Sequence, residues 1–505
     1  MTGQNQKAKI ANVVIVGGGT AGWMSAALFS KLFARHYAIT LVESEEIGII
    51  GVGEATIPAI KNFNNLLGIN EYEMMQATQG SYKLGIEFVN WRKLGQSYIH
   101  GFGRIGQDRL WLRTHQFWLK MHALGKAKDF DRYSINVVAA RANKFAHALW
   151  DNPNSPMKDI DHAYHFDATL YSRFLRKQAE AQGVNRIEGR IEKVVQDSVT
   201  GYVTKLVMGS GVEIKGDLFI DCSGLHGLLL DKALGVGFED WSKWLVCDRA
   251  IAQGCENSGE LKPYTKSIAR EAGWQWRIPL QHRIGNGLVY SSQFMNDDVA
   301  SEVLLNNLDG APIGTPRLVK FTPGKRKNTF EKNVVAIGLS SGFLEPLEST
   351  SIHLIQSAIL RLVALFPSGE FNQIDIDEFN RQTNFEYENV RDFIISHYKI
   401  TEREDAPMWR YTKNMGIPQS LEDRINLFKS SARFFKRGDE VFLEESWAQV
   451  LLGQGLQANY DPSVDLITES EAEELLNDIE EVIADCVDKM PNHAQFIEKY
   501  CKAEI

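Results

Sequence analysis

A glycine-rich turn between an apolar strand and a helix near the N-terminus constrains the fold of this chain most. In NVVIVGGGTAGWMSAALFSKL, Gly17, Gly19 and Gly22 have the spacing GxGxxG. In such a unit the first glycine permits a tight turn, the second lets the backbone approach a ligand, and the third lets helix and strand pack closely. Thr20 and Ala21 follow in the same turn, where the start of a helix offers free N–H groups. The segment predicts a Rossmann-like unit.

A second apolar strand, YAITLVES, contains the acidic residue Glu43 at its end. In dinucleotide-binding units a carboxylate about 20 residues beyond the glycines binds ribose hydroxyls. The motif GxGxxG alone is a weak signal. The strand, the glycines, the helix and the acid together indicate that a dinucleotide binds here, through Gly17–Gly22 and Glu43.

Two later stretches favour FAD as this dinucleotide. GDLFIDCSGLHGLL, Gly216–Leu229, and KNVVAIGLSSGFLEP, Lys332–Pro346, each join an apolar strand to a glycine-bearing turn. An NAD-binding unit is normally complete within a domain of about 150 contiguous residues. Strands that return to the site this late in the chain instead suit a discontinuous FAD module. Parts of a substrate module would be inserted into it, and the rest would follow it in the chain.

Composition excludes several other classes of protein. The chain has 505 residues and a formal charge of −9, which argues against nucleic-acid binding. It has no run of about 18 apolar residues, so no membrane span is expected, and its start does not resemble a signal peptide. Its five cysteines show no metal-binding spacing. We therefore expect reduced thiols, no metal site and a cytoplasmic location.

Strand and helix signals alternate up to about residue 360, whereas the remaining sequence is mainly helical. In TESEAEELLNDIEEVIADC, for example, Thr468 and Glu471 have capping-box spacing ahead of an apolar stripe. We predict an α/β fold of the two-dinucleotide-binding type. Residues 1–360 would form a discontinuous FAD module with inserted substrate-pocket segments, and residues 361–505 a mainly helical substrate module packed intimately against it.

The stretch GWQWRIP places two tryptophans on one face of a predicted strand. Trp274 and Trp276 are two residues apart, so their side chains point the same way, and Pro279 is expected to end the strand. From this stretch alone, ordinary core packing and a specialised wall are both open interpretations.

Several motifs together resemble the flavin-dependent halogenases of the tryptophan-halogenase family. They are GGGTAGW, GVGEATIP, YKLGIEF, WQWRIP and EPLESTSIHLI, together with AYHFDATLYSRFLR and HYKITEREDAPMWR. The resemblance implies that reduced FAD, diffusing from a separate flavin reductase, reacts with O2 and with chloride or bromide. The resulting hypohalous acid would travel to a second pocket that holds a small, electron-rich, indole-type aromatic substrate.

The resemblance also implies roles for the tryptophans and for a catalytic pair. Trp274 and Trp276 would wall the flavin pocket against an organic substrate. Alternation along YKLGIEF puts Lys83 opposite an apolar face, where a lysine is normally exposed. The match to the family instead makes Lys83 the group that fixes the halogen electrophile. Glu348 would stabilise the ring cation and take its proton, and Ser349 would hydrogen-bond Lys83.

Further site residues follow from the same match. Glu345, also in EPLEST, ranks second to Glu348 as the catalytic carboxylate, and it could instead be a structural turn residue. The halide would bind the backbone amides of Thr350 and Ser351. The family usually has glycine at the second of these positions, which leaves the preference between chloride and bromide open. Val194 is expected near the adenine, and Leu339 and Ile352 near the flavin.

The expected substrate pocket contains His100 and Phe102, which would sandwich the indole plane, and Phe442. Where tryptophan halogenases clamp the amino-acid backbone, this chain differs in residues that include Ser430, Ser431, Lys436 and Arg437. Cations there would repel an α-amino group, although Glu440, Glu444 or Glu445 could serve instead. Simple indoles are therefore expected to be better substrates than free tryptophan.

Two other functions remain open from the sequence. An FAD-dependent aromatic hydroxylase would need an open flavin face, which WQWRIP argues against. A flavoprotein that only binds FAD would not need Lys83, Glu348 and Ser349 together in their motifs.

Overall fold

The computed structural model of the chain describes residues 10–46, 53–149, 151, 155–367 and 369–504. The first two residues of the stretch 51–58 lie outside the described residues. Among the helices that the structure describes, none is both long enough and apolar enough to cross a membrane.

The described strands, β1 to β22, alternate with helices over the first two thirds of the chain. In chain order they are Asn12–Val16, Ala38–Glu43, Gly53–Ala55, Ser81–Lys83, Gly85–Val89, Ser97–Gly101, Ala163–Asp167, Asn185–Glu188, Ile191–Gln196, Val203–Met208, Glu213–Lys215, Leu218–Asp221, Phe238–Asp240, Arg249–Cys255, Thr265–Arg270, Gly273–Pro279, Ile284–Tyr290, Pro312–Lys320, Gly324–Arg326, Phe330–Glu331, Val334–Ala336 and Gly342–Phe343.

The described α-helices, α1 to α14, become dominant toward the C-terminus. In chain order they are Thr20–Phe33, Ile60–Leu67, Glu71–Ala77, Thr114–Ala123, Ile135–Arg141, Ala168–Ala181, Asp297–Leu305, Ser351–Ala364, Gln373–Lys399, Pro407–Asn414, Gln419–Ser431, Glu444–Gly453, Glu469–Asp488 and His493–Tyr500.

A six-stranded sheet with the order β20-β21-β12-β1-β2-β8 carries the glycine-rich turn. All of its strand pairs are parallel except β20 with β21. The strands β12 and β21 come from the two late stretches noted in the sequence, and both return to the side of β1. The α/β fold with a discontinuous Rossmann-like sheet is therefore confirmed.

A seven-stranded sheet, β18-β14-β17-β16-β15-β5-β6, carries the tryptophan strand near its centre. β16 lies between β15 and β17 and ends at Pro279, as predicted. Trp274 and Trp276 are both buried, and their ring centroids are 6.2 Å apart. Because two strands cover the edges of β16, this pair of side chains is held rigidly on one face.

The segment YKLGIEF differs from the single strand expected from its alternation. It forms two strands in different sheets: β4 pairs with β7, and β5 pairs with β6 and β15. The backbone N–H of Leu84, between them, donates to the carbonyl of Pro263 at 2.7 Å. Lys83, Gly85 and Glu87 are all buried, so the exposure that alternation indicates for Lys83 is wrong.

The described residues after Phe343 contain helices and no β-strand, in agreement with the helical composition of that part of the chain. The predicted capping box at Thr468 is present, with Glu471 closing it reciprocally. The C-terminal part of the long helix α9, which carries Phe393 and His397, packs against the seven-stranded sheet. The ring centroids of His397 and of Phe88, on β5, are 4.7 Å apart. The module boundary at residue 360 stays a prediction, and α8 runs across it.

Candidate active site

The glycine turn has the geometry that a nucleotide phosphate requires. Gly17 has φ +113°, and a Cβ there would lie 2.2 Å from the carbonyl oxygen of Cys222. A Cβ on Gly22 would lie 1.8 Å from the carbonyl oxygen of Gly17, so helix and strand pack too closely for any side chain. A Cβ on Gly19 would meet nothing within 4 Å. The turn is therefore closed on the protein side and open on the other, where a ligand can approach.

The start of α1 and the end of β2 complete this site. No side chain of the described residues caps the first turn of α1 at Thr20, which leaves its N–H groups for an anion. The carboxylate of Glu43 accepts a hydrogen bond from Nε1 of Trp23 at 3.4 Å and another from Arg186. Arg186 was not predicted from the sequence, and it orients the carboxylate expected to bind ribose.

The other expected FAD contacts lie around the same sheet. Gly338 has φ +78°, and a Cβ on it would approach the Cβ of Ala21 to 2.9 Å, which places the turn containing Leu339 against α1. Ile352 is buried at the start of α8. Val194, on β9, packs against the core cluster on the sheet that carries the glycine turn. Their contacts with an extended dinucleotide stay a prediction.

The tryptophan pair is anchored by Glu345. Nε1 of Trp274 donates to Oε2 of Glu345 at 2.7 Å, and the hydroxyl of Tyr398 donates to the same oxygen at 2.7 Å. Burial raises the pKa of Glu345 to about 7, although these hydrogen bonds oppose the shift. Trp276 lies flat against Gly287, where a Cβ would be 2.0 Å from the indole ring. Glu345 thus has a structural role, as the sequence analysis allowed.

Lys83 and Ser349, 266 residues apart in the chain, are in direct contact. Nζ of Lys83 donates to Oγ of Ser349 at 2.8 Å and to the carbonyl oxygen of Thr56 at 3.0 Å. It also lies 5.2 Å from the ring centroid of Phe102. Burial lowers the pKa of Lys83 to about 7, and the nearby charge of Glu348 partly opposes this. The amine is therefore held in place and is close to half-protonated at neutral pH.

Ser349 directs the chain into α8. Its φ of +58° lies in the left-handed region, which is unusual for a residue with a side chain. Thr350 follows as the N-cap of α8, and no side chain of the described residues caps that terminus. The N–H groups of Thr350 and Ser351 therefore lie where a helix favours a bound anion.

Glu348 is held between two histidines. Its Oε2 lies 2.8 Å from Nδ1 of His100, and its Oε1 lies 2.7 Å from Nε2 of His397. Burial alone would raise the pKa of Glu348, but the charges and hydrogen bonds of the two histidines outweigh it and lower the pKa to about 2. The carboxylate is thus ionised although it is fully buried.

The orientation of the His397 ring follows from its contacts. Its Nδ1 lies 2.9 Å from the carbonyl oxygen of Phe393, which can only accept, so Nδ1 carries a proton. This orientation turns Nε2 toward Glu348, at 2.7 Å from Oε1.

Aromatic side chains cluster next to this pair. The ring of Phe442 stacks on Phe393 at 3.9 Å, and Trp447 lies edge-on to Phe393 at 4.8 Å. His100 lies 5.7 Å from Phe393, so the structure brings His100 and Phe442 together as expected. Phe393, His397 and Trp447 were missed from the sequence. Phe393 and His397 are one helical turn apart and so share a face of α9, but that spacing does not indicate what the face contacts.

In the segment expected to bind an amino-acid backbone, each of the three candidate carboxylates lies beside an arginine. Glu440 pairs with Arg424 at 2.7 Å. Glu444 and Glu445 both pair with Arg113, at 3.0 and 3.8 Å. The four residues noted in the sequence lie at the end of α11 and in the loop after it; they are Ser430, Ser431, Lys436 and Arg437.

Comparison with known proteins identifies the family. The sequence model of the tryptophan halogenase family matches residues 12–469. The chain is 36% identical over 444 residues to the tryptophan 6-halogenase ThaL of Streptomyces albogriseolus, covering 84% of this chain and 82% of that protein. It is 34% identical to the tryptophan 7-halogenase RebH of Lentzea aerocolonigenes, with 84% and 82% covered.

Solved structures agree with this assignment. Xcc4156, a flavin-dependent halogenase from Xanthomonas campestris, is 48% identical and superposes with a TM-score of 0.95, covering 98% of this chain and 99% of that one. BrvH, a flavin-dependent halogenase from Brevundimonas sp. BAL3, is 46% identical with a TM-score of 0.93, covering 97% and 99%. The chain therefore belongs to the tryptophan halogenase family, and it is a flavin-dependent halogenase.

Proposed function

We propose that this enzyme halogenates a small, electron-rich, indole-type aromatic substrate, using FADH2 from a separate reductase, O2, and chloride or bromide. The observation that carries the proposal is the buried constellation of Lys83, Ser349 and Glu348. It places a fixed amine near an ionised carboxylate, beside a cluster of aromatic side chains. Reduced FAD, when bound at the glycine turn, supplies with O2 and halide the hypohalous acid on which these residues act.

Lys83 would position the electrophile. As an ammonium it has three N–H donors, of which two are used by Ser349 and Thr56. The third has no hydrogen-bond partner among the residues that the structure describes and can donate to the oxygen of hypohalous acid, which polarises the halogen toward the ring. Catalysis of this kind comes from holding two reactants in a productive geometry. The charge of Glu348 and the ring of Phe102 both favour the ammonium form.

Glu348 would act on the ring after the halogen has been added. An ionised carboxylate stabilises the positive charge that develops on an aromatic ring under electrophilic attack. It can then accept the ring proton and restore aromaticity. The contacts of His100 and His397 keep it ionised in a buried site, so they position this base without replacing it.

The halide would bind at the start of α8, on the backbone N–H groups of Thr350 and Ser351. An uncapped helix N-terminus suits an anion, and Thr350 is buried. The hydroxyl of Ser351, where the family usually has glycine, adds a donor and narrows the site. A preference between chloride and bromide would depend on that residue.

Trp274 and Trp276 would separate the flavin from the organic substrate. Trp274 cannot swing aside while Glu345 holds its indole N–H at 2.7 Å, and Gly287 leaves room only for the flat ring of Trp276. A hydroxylase needs the substrate directly at the flavin. The fixed wall therefore favours an oxidant that travels to Lys83.

Simple indoles would be preferred to free tryptophan. Glu440, Glu444 and Glu445 each lie beside an arginine, and Lys436 and Arg437 add positive charge nearby. The tryptophan halogenases ThaL and RebH are 36 and 34% identical to the chain, whereas Xcc4156 and BrvH, named only as flavin-dependent halogenases, are 48 and 46% identical. Both observations support a substrate without a zwitterionic amino-acid group.

The reductase would deliver FADH2 by diffusion in the cytoplasm. The five cysteines, all within the described residues, are free thiols, in keeping with a reducing compartment.

The test is a product assay by liquid chromatography and mass spectrometry. The enzyme is incubated with FAD, a flavin reductase, NADH, bromide and a panel of indole, substituted indoles and tryptophan. We expect monobrominated indoles, with tryptophan converted more slowly. A hydroxylated product without halogen would contradict the proposed reaction, and tryptophan as the best substrate would contradict the proposed specificity.

A further inference from the structure

A second glutamate lies between two histidines, outside the catalytic site. Glu71 is the first residue of α3, His147 lies in the loop after α5, and His162 immediately precedes β7. One nitrogen from each histidine and one carboxylate oxygen of Glu71 all lie within 4.8 Å of one another. The three residues come from separated segments and include no cysteine, so the cysteine spacing behind the expectation of no metal site could not have found them.

The distances in this cluster suit an ion between the side chains. Nε2 of His147 lies 3.3 Å from Oε1 of Glu71, and Nε2 of His162 lies 3.4 Å from Oε2. A hydrogen bond between an imidazole N–H and a carboxylate is normally about 2.7–2.9 Å long. Two ligands that are each about 2.0–2.1 Å from a tetrahedral zinc ion are about 3.3 Å apart. The spacing therefore matches that of two ligands sharing one ion.

Two tyrosines orient the carboxylate from the other side. The hydroxyl of Tyr82 donates to Oε1 of Glu71 at 2.8 Å, and that of Tyr164 donates to Oε2 at 2.7 Å. Each oxygen keeps a second lone pair, which faces a histidine. Hydrogen bonds to a ligating carboxylate are a regular feature of the surroundings of protein metal sites.

The surroundings of the cluster also suit a metal ion. The ring of Phe145 stacks on Tyr82 at 4.0 Å, and the two imidazole rings are 4.9 Å apart, so one side of the cluster is apolar. The side chains of Glu71 and His147 are 27% and 32% exposed, which gives an ion and its water a route in. Two imidazoles and one carboxylate favour zinc-like ions over calcium or magnesium, which prefer oxygen ligands.

We propose that Glu71, His147 and His162 bind one divalent zinc-class ion, with Tyr82 and Tyr164 supporting the carboxylate. The ion would join α3, the loop after α5 and the start of β7 at the outer face of β4. Tyr82 is the neighbour of Lys83 in that strand, so the ion would brace the back of the strand that carries the lysine. This role is structural and does not depend on the proposed halogenation.

The test is calorimetric titration of the full-length, chelator-treated protein with ZnCl2. We expect one ion per chain, and binding that falls by at least about 100-fold in His147→Ala and in His162→Ala. Tyr164→Phe removes only a supporting hydrogen bond and should weaken binding about 10- to 100-fold. His36→Ala, at an exposed histidine, serves as the matched control and should leave the affinity unchanged.

The proposal is overturned if the wild-type protein binds no zinc, or if His147→Ala and His162→Ala bind it as tightly as the wild type. Circular dichroism and FAD binding report whether the variants fold. If they do not fold, wild-type crystals soaked in ZnCl2 decide the question by anomalous scattering. A zinc peak between the three side chains is expected, and peaks only at other positions would overturn the proposal.

Discussion

The molecule contains two glutamates that each lie between two histidines, and the two sites differ in distance and exposure. Glu348 lies 2.8 and 2.7 Å from the histidine nitrogens, in a site almost without solvent exposure. Glu71 lies 3.3 and 3.4 Å from its histidine nitrogens and is 27% exposed. The glutamate and histidines are thus in direct contact around Glu348, here called the closed site. Around Glu71, here called the open site, they are spaced apart.

The difference shows that burial and spacing decide which role a glutamate between two histidines can have. In the closed site, direct contact keeps a carboxylate ionised where water cannot, which suits a base that must stay charged next to an organic ring. In the open site, the carboxylate is already satisfied by two phenols, and the spacing leaves room for an ion. Residue type alone does not distinguish the two sites, whereas the distances between their side chains do.

The largest expected effect comes from removing the lysine beside the closed site. Lys83→Ala should lower ring halogenation by several orders of magnitude, because effective molarities from positioning can reach about 10⁵ M or more. FAD binding and O2 uptake should continue, since the glycine turn is untouched. Halogenation and O2 uptake are measured side by side. Near-normal, regioselective halogenation in this variant would show that Lys83 is not the catalytic lysine.

The next effect concerns the carboxylate of the closed site. Glu348→Gln keeps the shape of the side chain but removes its charge, so we expect halogenation to fall by roughly 10²- to 10⁴-fold. The loss should be smaller than for Lys83→Ala, because water can accept the ring proton. Single-turnover rates with indole and bromide give the measurement. If the variant retains the wild-type rate, Glu348 is not the base.

The pH dependence of halogenation tests which form of Lys83 is active. Its pKa is lowered to about 7 by burial, so the ammonium is lost as pH rises through 7. If the ammonium donates to hypohalous acid, the rate should fall above about pH 7, by roughly tenfold per pH unit at the steepest. O2 uptake should not follow this profile. A rate that rises through the same range would instead favour a neutral amine that is itself halogenated.

His397 should affect the pH profile more than the maximal rate. In His397→Gln the contact of the imidazole with the carboxylate is lost, and because that contact lowers the pKa of Glu348, the pKa should rise from about 2. A group whose pKa is lowered by folding loses its stabilised charge as pH falls, and the variant should therefore lose activity at higher pH than the wild type. We expect the acid limb to move by at least about one pH unit. An unchanged acid limb would limit His397 to a packing role.

The smallest effect on catalysis is expected at the open site, where stability should change instead. Glu71→Gln weakens its contacts with two histidines and two tyrosines, and the loss of buried hydrogen bonds of this kind costs about 1–3 kcal/mol. Urea unfolding of the chelator-treated protein measures this. A midpoint equal to that of the wild type would mean that the cluster contributes nothing to stability without metal.

Much of the fold could be predicted from local sequence. GxGxxG, the following helix and the acid at Glu43 depend on short-range geometry, and the late strands were identified from their apolar runs. Lys83 could not be placed by alternation, because the chain changes sheets at Leu84 and that change depends on partners far away in sequence. Only the family resemblance placed it in the site.

The residues of the closed site also show how little local sequence says about contacts between distant segments. Glu348 was predicted, but its partner His397 lies on a helix whose register against the sheet cannot be read from neighbouring residues. Phe393 and Trp447 were missed for the same reason. Arg186, beside Glu43, comes from β8, which follows α6 in the chain and pairs with β2 at the edge of the sheet. Contacts between distant segments need the packed fold.

The discontinuous six-stranded sheet has a consequence for how the enzyme is made. Its parallel order places β21, near residue 335, next to β12, and β12 next to β1 at residue 12. Parallel pairing between such distant segments is slow, since loop closure precedes any stabilising contact. At a synthesis rate of about 5–20 residues per second, β1 waits tens of seconds on the ribosome for its last partner. During that time its unpaired edge is exposed, so production of this enzyme should depend on chaperones that protect such edges.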